Sequence, residues 1–216
     1  MRKGIQNIKL ISVYIGTTLI FVLLGLVLLM LNEKVDLHLA INEMHSSIAD
    51  QLFKYGTHLG DGGVTAIAVL PIGLLLYKRY QWSTFVLGWS TLIFTGVFAQ
   101  FMKRVVYPNA ERPIKFITEH VLYTVPGVDV HEMNSFPSGH TATAFAFFAF
   151  VTMAFFRKNR LMQFVMALVA IFVGYSRMYL SQHFLEDVVS GAILGLLAYL
   201  VGHLITSLIF KKGIVS

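Results

Sequence analysis

The sequence contains no cysteine, and this absence excludes disulfide bonds, thiol catalysis and metal sites with cysteine ligands. Charge is also scarce, since Asp, Glu, Lys and Arg make up only 13% of the 216 residues, while hydrophobic residues make up 56%. A soluble globular domain carries roughly twice that share of charged residues. The composition therefore excludes an ordinary soluble protein and indicates a chain embedded in a membrane.

The most prominent feature of the sequence is a series of long apolar runs without charged residues. A helix needs roughly 20 apolar residues to cross the hydrocarbon core of a bilayer. Six candidate spans cover residues 10–31, 63–77, 83–101, 139–156, 161–175 and 188–210. The second and fifth are short, so we expect flanking residues to extend them. The first is longer than the apolar part of a signal peptide and should be retained. We expect an all-α, polytopic bundle of six transmembrane helices, formed by residues 1–216 as one domain.

The charged residues are divided between the two sides of such a bundle. With six spans, ten Lys and Arg residues and no acidic residue fall on the side that holds both termini, and all 11 Asp and Glu residues fall on the other. Because Lys and Arg gather in cytoplasmic loops, we expect both termini in the cytoplasm and the long loops outside the cell membrane. This topology explains the net charge of +6 without a nucleic acid partner.

Two segments on the outer side are long. Residues 32–62 repeat apolar side chains at helical spacing, which is typical of one or two amphipathic helices along the membrane interface. A solvated connector is the alternative. Residues 102–138 carry most of the polar groups that we consider next.

The first polar cluster runs from Lys103 and Arg104 to Arg112. Lys103 and Arg104 could be anchors whose long side chains reach the interface. Arg112 is harder to explain in that way, because it lies in mid-loop and the proline after it restricts its backbone. A guanidinium held in this manner suits bidentate binding of a phosphate.

The second cluster is Pro137-Ser138-Gly139-His140, where the fourth span begins. Ser138 could cap the helix or bind a phosphate, and Gly139 allows a backbone N–H to approach a ligand. A helix N-terminus offers free N–H donors and the positive end of its dipole to an anion. His140 would lie at the edge of this site, although a capped helix with an incidental histidine is the structural alternative.

The third cluster comprises Ser176, Arg177, His183 and Asp187. The last two are four residues apart and would share one face of a helix. A carboxylate at that spacing can bond one imidazole nitrogen and leave the other free to attack. The alternative is an ordinary His-Asp pair near the membrane surface.

Together the three clusters supply what phosphoryl transfer through a histidine needs. We expect His183 to attack phosphorus and His140 to protonate the leaving oxygen. The side chains of Arg112, Arg177 and Lys103 would stabilise the charge that spreads over the equatorial oxygens.

These residues resemble the type 2 phosphatidic acid phosphatase family, which shares a fold core with vanadium haloperoxidases. The family pattern is Lys-x6-Arg-Pro, then Pro-Ser-Gly-His, then Ser-Arg-x5-His-x3-Asp. The second motif is complete at residues 137–140 and the third at residues 176–187. The resemblance covers about residues 62–210. It implies a phosphohistidine on His183 that water later hydrolyses, with no metal ion or other cofactor.

The first motif departs from this pattern. Eight residues separate Lys103 from Arg112 where the family has six, and Val105 occupies the family's lysine position. Either the chain bulges around Pro108 so that Lys103 reaches the phosphate, or Arg104 takes the role.

The resemblance implies a phosphatase that removes a terminal phosphate from a lipid phosphate or diphosphate at the outer membrane face. Undecaprenyl diphosphate is the first substrate we expect, because a recycled carrier needs an outward-facing site and little head-group recognition. Phosphatidylglycerophosphate or phosphatidic acid is next, and a lipid A phosphatase of the same family is an alternative. The enzymatic alternative is a phosphotransferase that passes the phosphoryl group to an acceptor. A lipid transporter is disfavoured, because such proteins place polar groups near the middle of the membrane.

Several residues outside these clusters have simpler explanations. Five other outer histidines, among them His38 and His58, are too scattered for us to expect a metal site. The small residues Gly191, Ala192 and Gly195 would form a face for close helix packing in the sixth span.

Overall fold

Six helices in the part of the chain that the structure describes are long and apolar enough to cross a membrane, as predicted. The computed structural model describes residues 9–210. The spanning helices are α1 (Ser12–Leu31), α4 (Gly62–Tyr80), α5 (Ser83–Phe101), α7 (Gly139–Val151), α8 (Arg160–Tyr179) and α9 (Leu185–Ile209). The two spans predicted as short are 19 and 20 residues long, because flanking residues continue each helix.

Three shorter helices and several tight turns lie between the spans. The helices are α2 (Lys34–Asn42), α3 (Ser47–Gly56) and α6 (Pro113–Phe116). The 3₁₀ turns are Lys9–Ile11 and Thr57–Gly60, and the π turns Met102–Val106 and Thr152–Phe156 extend α5 and α7. The segment after α1 thus forms two helices, as the apolar spacing predicts.

Helices α7 and α9 form the centre of the bundle. A side chain on Gly195 would meet the carbonyl oxygen of Ala142, and a Cβ on Gly191 would lie only 2.7 Å from the carbonyl oxygen of Ser138. The small residues of α9 therefore let the two backbones approach closely, which confirms the predicted packing face. This contact sets the start of α7 beside the start of α9.

The loop between α5 and α7 folds back on itself. The backbone N–H of Arg112 donates to the carbonyl of Glu132 at 2.8 Å, and that of Ser135 donates to Ala110 at 2.9 Å. An antiparallel bridge pairs Glu111 with Met133 between these bonds. The loop is thereby held over the end of the bundle where the three polar clusters meet.

Candidate active site

His183 lies in the connection between α8 and α9, so it does not share a helix with Asp187 as the spacing predicted, and it is only 2% exposed. Its Nδ1 lies 3.4 Å from Oδ2 of Asp187 and 3.4 Å from Oγ of Ser135. The same carboxylate oxygen accepts hydrogen bonds from the Ser135 hydroxyl at 2.5 Å and from the backbone N–H of Phe184 at 2.9 Å. Because Nδ1 faces this network, Nε2 is the nitrogen that remains for a substrate.

The surroundings of His183 keep its imidazole neutral. Burial lowers the pKa of His183 well below its usual value of 6.5, and the nearby cations Arg112, Arg177 and Lys103 lower it further. A neutral imidazole has the free lone pair that a nucleophile needs.

Arg112 is buried and fixed by the folded loop and by the residue that precedes His183. Its Nε donates to the carbonyl of Met133 at 2.9 Å, and its Nη1 donates to the side-chain oxygen of Gln182 at 2.6 Å. Gln182 is itself anchored, since its Nε2 donates to the carbonyl of Asp129 at 2.9 Å. The guanidinium is therefore held in one orientation before any anion arrives.

Lys103, and not Arg104, extends toward the site. Its Nζ donates to the carbonyl of Asn134 at 2.9 Å, and it interacts electrostatically with Arg112, Arg177 and Asp187. Arg104 is exposed. The π turn at the end of α5 widens the helix by one residue, and Asn109 adopts a left-handed backbone with φ of 64°. These two features accommodate the extra residues in the first motif.

Ser138 caps α7, and the space in front of the helix is open. Its buried hydroxyl accepts a hydrogen bond from Oγ1 of Thr141 at 2.8 Å, and its backbone N–H donates to the carbonyl of Asp187 at 3.0 Å. Among the described residues, and apart from its chain neighbours and the backbone of its own helix, no heavy atom lies within 4 Å of the position that a Cβ on Gly139 would take. The free N–H groups of this first turn are thus accessible to an anion.

Arg177 is buried and only partly paired. Its Nη1 donates to Oγ1 of Thr57 at 2.8 Å, whereas its Nε is buried and has no hydrogen-bond partner among the described residues. A buried guanidinium with an unused donor is suited to binding an anion.

His140 stands apart from this buried network. Its side chain is 33% exposed, and its Nε2 lies 3.9 Å from Oδ2 of Asp61. The structure thus brings all eight predicted site residues to one end of the bundle.

Two hollows flank the site and differ in character. A polar cavity of about 230 Å³ lies beside His140 and Arg177 and is also lined by Lys54, His58, Asp61, Asp129 and His131. An apolar groove of about 250 Å³ lies between α5 and α9, lined chiefly by Phe98, Met102, Phe136, Ile193 and Leu197. A molecule with a charged head and an apolar tail fits this pair of surfaces.

The sequence did not reveal four residues that complete the site. Ser135, Gln182, Thr57 and Asp61 each contact a predicted residue directly. Gln182 could have been suspected because it precedes His183, but Thr57 and Asp61 lie far from every motif in sequence.

Comparison with known proteins identifies the family. The model of the PAP2 superfamily matches residues 84–211. The chain belongs to the PAP2 superfamily. It is therefore a membrane-embedded lipid phosphatase with an all-α fold, which confirms the predicted family and enzyme class.

Relatives within this superfamily include two kinds of named phosphatase. The chain is 40% identical over 156 residues to phosphatidylglycerophosphatase B of Bacillus subtilis, covering 66% of this chain and 68% of that protein. It is 38% identical over 78 residues to a lipid A 1-phosphatase of Porphyromonas gingivalis, covering 36% of this chain and 18% of that longer protein.

Two solved structures share the fold. A transmembrane PAP2 type phosphatidylglycerolphosphate phosphatase from Bacillus subtilis superposes with a TM-score of 0.61 at 23% identity, covering 92% of this chain and 98% of that one. LpxE of Aquifex aeolicus gives a TM-score of 0.59 at 23% identity, covering 77% and 92%. These similarities show a common helical architecture.

Proposed function

We propose that this chain removes the terminal phosphate from a glycerol-based lipid phosphate, with phosphatidylglycerophosphate as the favoured substrate. The observation that carries the proposal is a buried His183 with three cations nearby, a polar cavity beside His140 and Arg177, and an apolar groove between α5 and α9. A relative that matches 66% of the chain is named for this activity. Undecaprenyl diphosphate, the substrate expected first from the sequence, presents the same terminal phosphate and is the substrate to compare.

In the proposed reaction each of the two histidines has a separate role. Nε2 of His183 attacks phosphorus, and the bond between phosphorus and the leaving oxygen breaks while His140 gives that oxygen a proton. Water then attacks the phosphohistidine while His140 takes a proton from it, and the bond between phosphorus and Nε2 breaks, which releases inorganic phosphate and regenerates His183. Arg112, Arg177 and Lys103 stabilise the charge on the equatorial oxygens, together with the N–H groups at the start of α7.

We place the site on the outer side of the cell membrane, with both termini in the cytoplasm. The support is the charge distribution, because the short loops at the end of the bundle opposite the site are basic. In the structure, Arg79 and Arg157 both lie against the ring of Tyr80 at that end, 5.1 and 5.4 Å from its centre. Cytoplasmic loops carry such an excess of Lys and Arg.

The test is phosphate release from phosphatidylglycerophosphate and undecaprenyl diphosphate in detergent with EDTA. We compare the wild type, His183→Ala and the control His120→Ala, which changes an exposed histidine outside the site. We expect the wild type and the control to release phosphate and His183→Ala to lose at least about 10³-fold in kcat. Full activity in His183→Ala would contradict the assignment of the nucleophile. Appearance of the phosphate on an added sugar or lipid A acceptor would identify a phosphotransferase instead.

A further inference from the structure

The turn before α4 reaches the site at three points. Thr57 accepts a hydrogen bond from Arg177, and Oδ2 of Asp61 lies 3.9 Å from Nε2 of His140. Between them, Gly60 packs so closely that a Cβ there would lie 2.6 Å from the carbonyl oxygen of His140. This turn lies outside the residues that the family model matches, yet it is packed against the first turn of α7.

The carboxylate of Asp61 is fixed by the helix that it caps. Its Oδ1 accepts hydrogen bonds from the backbone N–H groups of Gly63 at 2.8 Å and Val64 at 3.0 Å. The N–H of Val64 is the main cause of a lowered pKa at Asp61, so the carboxyl is ionised at neutral pH. Because Oδ1 is used by the cap, Oδ2 is left to face His140.

Burial and nearby positive charge both disfavour a proton on His140. Arg177 comes from α8, Lys103 from the end of α5 and His58 from the turn itself, and all three interact with it electrostatically. Asp129 and His131 of the long loop line the same cavity. Within the described part of the chain, the carboxylate that forms an ion pair with His140 is that of Asp61. Its negative charge favours the protonated imidazole against the surrounding cations.

We propose that Asp61 is a positioning residue whose negative charge favours the protonated form of His140 from which the leaving oxygen receives its proton. This inference rests on the proposed function, because it assumes that His140 is the acid. At 3.9 Å the carboxylate stabilises the imidazolium electrostatically without accepting a direct hydrogen bond, so the proton stays available to the substrate.

The test separates the charge of Asp61 from its capping role. Asp61→Asn keeps an oxygen for the helix cap and removes the charge, because Asn caps helices as well as Asp does. We expect kcat on phosphatidylglycerophosphate to fall about tenfold and KM to stay nearly unchanged. The alkaline limb of the pH profile should move to lower pH, because His140 would lose its proton more easily. Asp61→Glu should restore part of the rate and the wild-type profile.

Two controls make the result specific. Glu43→Gln removes an exposed carboxylate elsewhere in the described chain and should leave rate and profile unchanged. With 4-nitrophenyl phosphate, whose leaving group departs without a proton, Asp61→Asn should lose less than threefold. An Asp61→Asn variant with an unshifted pH profile and equal losses on both substrates would show that Asp61 only supports the helix.

A second readout does not depend on activity. NMR of ¹⁵N-labelled imidazoles, with the His140 signal assigned through His140→Gln, follows the protonation of His140 directly. We expect His140 to lose its proton at lower pH in Asp61→Asn than in the wild type. An inactive wild type would overturn the proposed function, whereas an identical titration in both proteins would overturn the role of Asp61.

Discussion

The two histidines of the site lie in opposite surroundings. His183 is 2% exposed, with Ser135 and Asp187 each 3.4 Å from its Nδ1. The side chain of His140 is 33% exposed, and its ion-pair partner lies 3.9 Å away. The proposed nucleophile is thus fixed by the fold, as attack on phosphorus requires. The proposed acid, His140, lines the open cavity, where leaving groups of different shape could be accommodated.

Removing the charge of Asp187, beside His183, should lower kcat more than any other substitution described below. Asp187→Asn replaces an acceptor of three contacts by an amide, and the imidazole loses the carboxylate that stabilises its positively charged state. We expect kcat to fall about 10³- to 10⁴-fold. The assay is phosphate release from phosphatidylglycerophosphate, and Glu186→Gln, which alters the neighbouring surface carboxylate, is the matched control. A loss no larger than that of Asp61→Asn would mean that the two histidines depend on their carboxylates equally.

Replacing the more exposed histidine, His140, should lower kcat less than Asp187→Asn does, and the size of the loss should depend on the substrate. His140→Gln removes the acid, and we expect kcat on phosphatidylglycerophosphate to fall about 10²-fold, because its leaving group is an alkoxide. Undecaprenyl diphosphate releases a phosphate monoester, which is a weaker base and needs the proton less. The measurement is the ratio of the two rates in wild type and variant. Equal losses on both substrates would contradict the assignment of His140 as the acid.

The hydroxyl of Ser135, which lies beside His183, should contribute less to kcat than either of the groups above. Ser135→Ala removes the 2.5 Å hydrogen bond to Asp187 and leaves the carboxylate with its backbone donor at Phe184. We expect kcat to fall about tenfold, in line with the loss of one hydrogen bond to a charged group. Ser47→Ala, at an exposed serine in α3, is the control. An unchanged rate in Ser135→Ala would show that Asp187 and the fold alone orient His183.

The contrast between the two histidines also shows which parts of the site could be predicted from the sequence. The spans follow from hydrophobic length. The spacing of His183 and Asp187 pointed to a contact between them, but His183 lies just before α9, so the contact forms at the start of the helix and not along one of its faces. Ser135 and Asp61 reach the site only through the folded loop and the turn before α4, which are tertiary contacts without a local pattern. The reach of Lys103 depends on a π turn, and residue spacing alone does not reveal such a turn.

A third histidine, His38, shows how burial affects a histidine pKa when the ring makes no hydrogen bond. His38 is 2% exposed, its ring lies 5.5 Å from that of Phe184, and neither ring nitrogen has a hydrogen-bond partner among the described residues. Burial, aided by the charge of His45, lowers the pKa of His38 from 6.5 to about 4. Above pH 6.5 the ring is neutral in both the folded and the unfolded state. As pH falls from 6.5 toward 4, only the unfolded chain takes up the proton, so the folded state loses stability.

His38→Phe should therefore have the smallest effect on activity and a clear effect on acid stability. The ring contact with Phe184 is kept, and we expect kcat at pH 7.5 to change less than about twofold. Between pH 7.5 and pH 5 the protonation of His38 in the unfolded state should cost the wild type about 2 kcal/mol, and the variant should escape this loss. Thermal unfolding in detergent at the two pH values measures the difference. An equal fall of the midpoint in both proteins would show that burial alone does not keep a histidine neutral in this part of the molecule, and that His183 depends on its neighbouring cations instead.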